Sequence, residues 1–288
     1  MKISIIGLGA MGRGLARRLL ECGEKPIVWN RSPEPVKTLK AEGAAAAKDV
    51  SEALAADLIF FVLYDDDAVR DVILEAKHLK AIRPGSIVIG TSTISIDMAK
   101  ELETAMTTID AHYIAMPMFG RPNKAEAGEL ELAIGGAPQP VEKAMPIMKH
   151  LGTPWIMGND PLAAHSAKLA GNYLIACSIA TIGESAAIAA STGAHPGKFL
   201  EMITQTLIAT PLAQFHAGPI IKDAPPDDKA GLDIVLKDVR LGLKQADKIG
   251  MSLPLAQTIS ERFKDSQDAG LGDKSAYGIY KLSQSGKT

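Results

Sequence analysis

Cysteine is nearly absent from this chain. Cys22 and Cys177 are the only two in 288 residues, and they lie too far apart to form a C-x-x-C metal or redox motif or a disulfide framework. A reducing, cytoplasmic setting is therefore expected. Charge of one sign is also lacking: the formal net charge is -2 with no dense run of Lys or Arg, which excludes a nucleic-acid stripe or a membrane-seeking helix and leaves a small molecule as the expected partner. No long apolar run goes uninterrupted. The most apolar stretch, Leu169 to Ala190, contains Asn172, Ser178, Thr181, Gly183, Glu184 and Ser185, so no membrane span is expected. The opening MKISIIGLGAMG breaks at Gly7 and leads into a charged helix, unlike a signal peptide. There is no internal repeat and no low-complexity tract. What remains is an alanine-rich globular composition, 47% hydrophobic and 22% charged, with length for about two domains.

The first half alternates short aliphatic runs with helical patterns. Lys2 to Ile6, Pro26 to Trp29, Leu58 to Leu63, Ser86 to Ile89 and Thr108 to Ile114 read as strands. Runs such as LIFFVL suit strands buried on both faces of a parallel sheet, with helices supplying the crossovers. The pattern is that of a doubly wound α/β fold. Glu129 to Ile134 alternates polar and apolar residues and reads as the strand that closes the sheet. From about Pro161 the strand signal stops. One long helix covers Ala163 to Ser191, and Pro196 to Thr206, Gly231 to Ile249 and Pro254 to Ala269 are helical by period, separated by PPDD and SLP breakers. This divides the chain into an α/β domain over 1–160 and an all-α domain over 161–288, joined by the helix 163–191.

Gly7-x-Gly9-x-x-Gly12 directly follows the first strand and opens a helix, the context this motif requires. Gly7 permits the tight turn, Gly9 lets the backbone approach a pyrophosphate, and Gly12 lets helix and strand pack closely. Leu8, Ala10 and Met11 complete a loop that leads into free N–H donors at the helix start. An acid about 20 residues past the motif would bond a ribose 2′-hydroxyl. The sequence there reads Trp29-Asn30-Arg31-Ser32, with Asn30 in the acid's place and Arg31 able to stack on adenine and fork onto a 2′-phosphate. NADP(H) is thus favoured over NAD(H). If Arg31 is only a solvated loop arginine, either cofactor fits.

Several segments now line up in one order: Gly7-Leu8-Gly9-Ala10-Met11-Gly12, Asn30-Arg31-Ser32, Thr91-Ser92-Thr93-Ile94, and Gly158 about ten residues before Lys168-x-x-x-Asn172. Glu126-Ala127-Gly128, Leu236-Lys237-Asp238 and Gly270-Leu271-Gly272-Asp273 continue the match. Over nearly its whole length the chain resembles the β-hydroxyacid dehydrogenases, with 6-phosphogluconate dehydrogenase and imine reductases as more distant kin. The resemblance implies an NAD(P)-dependent Rossmann enzyme that moves hydride between the nicotinamide and a small β-hydroxy acid or semialdehyde. It assigns Lys168 as general acid/base; the i, i+4 spacing puts Asn172 on the same helix face. His165, on a similar face, reads as a bystander. Leu63 joins the cofactor set. Thr93 is placed beside the nicotinamide, although Thr or Ser here also suits an N-cap for a helix starting near Ser95. Lys237 is carried over as a residue reaching the cofactor; the other reading is a surface ion pair with Asp238.

The chain departs from the family in one loop. Where relatives read Asp-Ala-Pro-Val-Ser-Gly-Gly and bind the substrate carboxylate, it reads Ala115-Met116-Pro117-Met118-Phe119-Gly120-Arg121. Either Arg121 takes an anion in a bidentate contact, or Met116, Met118 and Phe119 line a larger, less polar pocket around Gly120. Core packing would also explain the Met and Phe residues. Leu162 and Ala164 replace glycines, and Ala230 a phenylalanine. An imine reductase, or a cofactor-binding protein without turnover, are the alternative functions; Lys168 counts against the first, and Lys168 with Asn172 against the second. Family members pair through the long helix, so a homodimer or tetramer is expected. No metal site is expected.

Overall fold

The structure, a computed structural model, describes residues 1–226 and 231–285. Two compact units form, Met1–Lys168 and the chain from Leu169 on. Their boundary falls inside the long helix.

In the first unit six strands run parallel in the order β3-β2-β1-β4-β5-β6: β1 (Ile3–Ile6), β2 (Ile27–Trp29), β3 (Ala45–Ala46), β4 (Leu58–Phe61), β5 (Ile87–Gly90) and β6 (His112–Ala115). The connecting helices are α1 (Ala10–Glu21), α2 (Pro33–Ala41), α3 (Val50–Leu54), α4 (Asp66–Val69), which passes through a π-helical segment into α5 (Ala76–Leu79), and α6 (Ile96–Thr108). The continuous apolar runs follow from this layering, because side chains alternate between two buried faces. Ile5, Phe60, Ile87 and Ile89 join Leu15 and Leu19 of α1 in one core. Ile6, Ile59, Phe61 and Val88 join Met98, Leu102 and Met106 of α6 in the other. At about 1.5–3 kcal/mol per fully buried aliphatic or Phe side chain, these two cores are the main term holding the layers together.

After β6 come β7 (Met118–Phe119), α7 (Pro122–Ala127), β8 (Leu130–Gly135), α8 (Pro138–Leu151) and β9 (Gly152–Gly158). The strand at Glu129–Ile134 does not close the sheet: β9 pairs with it in parallel, Leu130 opposite Gly152 and Leu132 opposite Pro154. Pro154 conceals β9 from a sequence reading, yet an edge strand accepts proline because one row of its backbone groups has no partner strand. Trp155 and Ile156 of β9 are exposed. The strand expected from Thr108 starts only at His112, because Thr107 and Thr108 finish α6 with their hydroxyls bonded to carbonyls one turn back.

The second unit is all-α. The long helix α9 (Pro161–Ser191) enters it and is followed by α10 (Pro196–Gln205), α11 (Pro211–Ile221), α12 (Leu232–Lys248), α13 (Pro254–Asp268) and α14 (Ser275–Gln284). Its core gathers Ile179, Ile182, Leu200, Leu236, Phe263 and Ile279. The periodic reading omits α11, with Pro219 inside it, and α14, with Gly278 inside it. Ala230 lies outside the described residues. By length and composition α9 would suit a bilayer crossing; its polar His165, Lys168 and Asn172 all meet protein partners.

Candidate active site

The glycine motif sits where the strand order reverses, between the carboxyl ends of β1 and β4. Gly7 has φ +92°, and a Cβ there would lie 2.2 Å from the Val62 carbonyl oxygen; one at Gly12 would lie 2.0 Å from the Gly7 carbonyl oxygen. Both glycines are demanded by the protein itself. A Cβ at Gly9 would meet nothing within 4 Å, so Gly9 keeps clear a space outside the backbone. Helix α1 starts here with no side-chain cap and no acid in its first turn, leaving N–H donors and the positive end of the dipole directed at that space. A cradle of this kind fits a dinucleotide pyrophosphate. Leu8 is in the core and can meet a cofactor only through its backbone. Ala10 is exposed and Met11 half-buried.

Asn30 is committed to the protein. Its Oδ1 accepts from the Leu8 N–H at 2.9 Å and its Nδ2 donates to the Ser32 carbonyl at 3.0 Å. It therefore ties the glycine turn to the end of β2. Arg31 and Ser32 are exposed just ahead of α2, and Ser32, although at the N-cap position, makes no capping bond. A hydroxyl, a guanidinium and a helix N-terminus thus share one corner beside the cradle.

At the ends of β4 and β5, the Leu63 N–H donates to Ser92 Oγ at 2.7 Å and Thr91 Oγ1 donates to the Phe61 carbonyl at 2.8 Å. The side chain of Leu63 lies against Gly7. The N-cap of α6 is Ser95, whose Oγ accepts from the Met98 N–H. Thr93 does not fill that role; it stands half-buried beyond the end of β5.

The loop after β6 separates its residues by depth. Met116 and Met118 are packed in the sheet core, as the core-packing reading of these residues expects. Phe119 and Arg121 are half-buried and Gly120 is exposed with φ +140°. Lys168, from α9, donates to the Met118 carbonyl at 2.7 Å, and its Nζ lies 4.1 Å from the centre of the Phe119 ring. A carbonyl oxygen and a ring face thus hold the Lys168 Nζ over this loop.

In the second unit Asn172 is 6% exposed and Asp238 of α12 only 4%. Asn172 Nδ2 donates to one oxygen of Asp238 at 2.5 Å, and Lys237 Nζ donates to the other at 2.7 Å. The ion pair between Lys237 and Asp238 is real but sits over a buried carboxylate, not on the surface. Asp238 orients both neighbours and is a residue that motif reading alone leaves without a role. Its signal was an acid set beside the apolar stripe Leu232, Leu236 and Val239.

Sequence reasoning also passes over Tyr113 and His165. His165 is 1% exposed; its Nε2 lies 2.8 Å from Tyr113 Oη, and its Nδ1 is buried with no hydrogen-bond partner. Burial lowers the imidazole pKa to about 4, against a smaller opposing pull from Asp66, and raises that of the Tyr113 phenol. Both groups are neutral at pH 7. Among the described residues no three His, Cys, Asp or Glu side chains gather as a metal-binding group.

Two family models match this chain. Residues 2–159 match the NAD-binding domain of 6-phosphogluconate dehydrogenase, and residues 163–283 match the domain described as NAD-binding of NADP-dependent 3-hydroxyisobutyrate dehydrogenase. The chain is similar to the uncharacterized oxidoreductase YfjR of Bacillus subtilis, 30% identical across 95% of this chain and 96% of that protein. It is also similar to 2-(hydroxymethyl)glutarate dehydrogenase of Eubacterium barkeri, 23% identical across 98% and 94%. Among solved structures, 3-hydroxyisobutyrate dehydrogenase of Salmonella typhimurium superposes with a TM-score of 0.87 at 25% identity, covering 98% of this chain and 99% of that one. A pyrophosphate cradle at the reversal of a parallel sheet, an all-α second unit and these matches lead to one conclusion: the chain belongs to the β-hydroxyacid dehydrogenase family and is an NAD(P)-dependent oxidoreductase of CH–OH and C=O groups.

Proposed function

We propose that this enzyme is an NADP(H)-dependent reductase or dehydrogenase of a small β-hydroxy acid or semialdehyde, with Lys168 as its general acid/base. One observation carries the reading: Lys168 is bonded to the loop leaving the carboxyl end of β6, the same sheet edge that carries Gly7, Leu63 and Thr93. The nicotinamide, when bound, supplies or accepts the hydride. Lys168 bonds the substrate oxygen, donates a proton as a carbonyl is reduced and takes one back as an alcohol is oxidised. Arg31, Ser32 and the start of α2 hold the 2′-phosphate. Arg121, at the N-terminus of α7, orients an anionic substrate group. We also propose a cytoplasmic homodimer or tetramer, in which the exposed Leu174 and Ile188 of α9 are covered by a second copy.

The test is turnover of NADPH against a panel of semialdehydes, glyoxylate and cyclic imines, followed by absorbance of the reduced cofactor. Lys168→Ala should lower kcat by about 100- to 10,000-fold, the range of general acid–base catalysis, with NADPH binding retained. Turnover of imines alone, indifferent to this substitution, would establish an imine reductase instead. Tight NADPH binding with no turnover of any carbonyl would point to a cofactor-binding protein.

A further inference from the structure

Helix α9 opens Pro161-Leu162-Ala163-Ala164-His165-Ser166-Ala167-Lys168. Small and apolar residues lie on several faces of these turns, so burial alone does little to choose which side meets the sheet. A directional bond can make that choice. One is present. Tyr113 Oη and His165 Nε2 are 2.8 Å apart and fully enclosed. The imidazole lies nearly parallel to the Tyr113 ring, 16° apart with centroids at 6.2 Å, and Tyr113 is in turn parallel to Phe61 at 7° and 6.5 Å. Space for the hydroxyl comes from Gly90, where a Cβ would stand 2.4 Å from Tyr113 Oη and 2.8 Å from Phe61 Cζ.

Packing alone does not account for this pair. It leaves His165 Nδ1 buried and unsatisfied, and two apolar side chains of the same shape would avoid that cost. What it does supply is a fixed rotation. Tyr113 and Met118 belong to one strand-and-loop segment, His165 and Lys168 to adjacent turns of one helix, and the two segments are joined twice: at Tyr113–His165 and at Met118–Lys168. Lys168 has a long, rotatable side chain and cannot set the helix by itself. The first joint, between two rigid rings, can.

We infer that the Tyr113–His165 hydrogen bond is a pin that sets the rotation of the first turns of α9 against β6, and so holds Lys168 over the Met118–Phe119 loop. Tyr113 and His165 are thus positioning residues. Their effect on turnover rests on the role proposed for Lys168; the pin itself does not. Tyr113→Phe removes one oxygen and keeps the stack. It should leave the fold and NADPH affinity unchanged and lower kcat about 10- to 100-fold, the cost of misplacing a reacting group by about 1 Å. In a Lys168→Ala background the same change should cost nothing further, since both act through one group. Independently of activity, the rate at which an amine-acylating reagent modifies Lys168, read by mass spectrometry, should rise several-fold in Tyr113→Phe. His165→Phe is the second variant, with the same readings. Unchanged Lys168 labelling in a folded variant overturns the pin, as do losses that multiply in full with Lys168→Ala. Full turnover in Lys168→Ala overturns only the functional reading, and the labelling rate still decides the pin.

Discussion

Arg31 and Asn30 are adjacent in sequence but differ in kind. Asn30 spends its amide on Leu8 and Ser32, so its substitution would disturb the glycine turn whichever cofactor binds. Arg31 is exposed and can be altered without touching the fold. Arg31→Ala should therefore weaken NADPH binding about 10- to 100-fold, the loss of one or two charge-assisted bonds, and weaken NADH binding far less, through lost adenine stacking alone. Fluorescence titration with the two reduced cofactors measures both. Single residues were legible to different degrees. Lys168 and Asn172 stand out because their spacing places them on one helix face. Asp238, Tyr113 and His165 do not, because what marks them is burial among groups distant in sequence, and no local pattern encodes that.

The glycine turn shows how an element divides its demands. A methyl group at Gly12 would strike the Gly7 carbonyl, while at Gly9 it enters free space. Gly12→Ala should lower the thermal midpoint and cofactor affinity together. Gly9→Ala should keep the midpoint of the unliganded protein and lose NADPH affinity alone, and a calorimetric scan with and without cofactor separates the two. Elements buried on both faces were the readable ones: β4 and β5 are continuous apolar runs because two cores need them so. Elements defined by partners were not. β7 is two residues long and exists through β8, the proline of β9 hides a strand that β8 alone supports, and β6 starts late because helical threonines precede it.

At the scale of the whole molecule, the buried imidazole links stability to acidity. His165 has an ordinary pKa of 6.5 when unfolded and about 4 when folded. Above pH 6.5 it is neutral in both states and has no effect. As pH falls from 6.5 to 4 the unfolded chain takes up a proton that the folded one refuses, so stability drops across that window. The size is about 3 kcal/mol, from roughly 1.4 kcal/mol per pKa unit. His165→Phe lacks this burden. Urea midpoints of the wild type and the variant should therefore shift by different amounts between pH 7 and pH 4.5, the wild type falling further; parallel shifts would exclude the mechanism.

The same scale gives meaning to the proline in β9. A nine-stranded sheet with Trp155 and Ile156 exposed on its last strand offers a surface on which another chain could continue the ladder, the first step of fibril growth. Pro154 leaves a gap in the donor row of that strand. An incoming segment would find that row of N–H groups interrupted, which disfavours extension of the sheet along this edge.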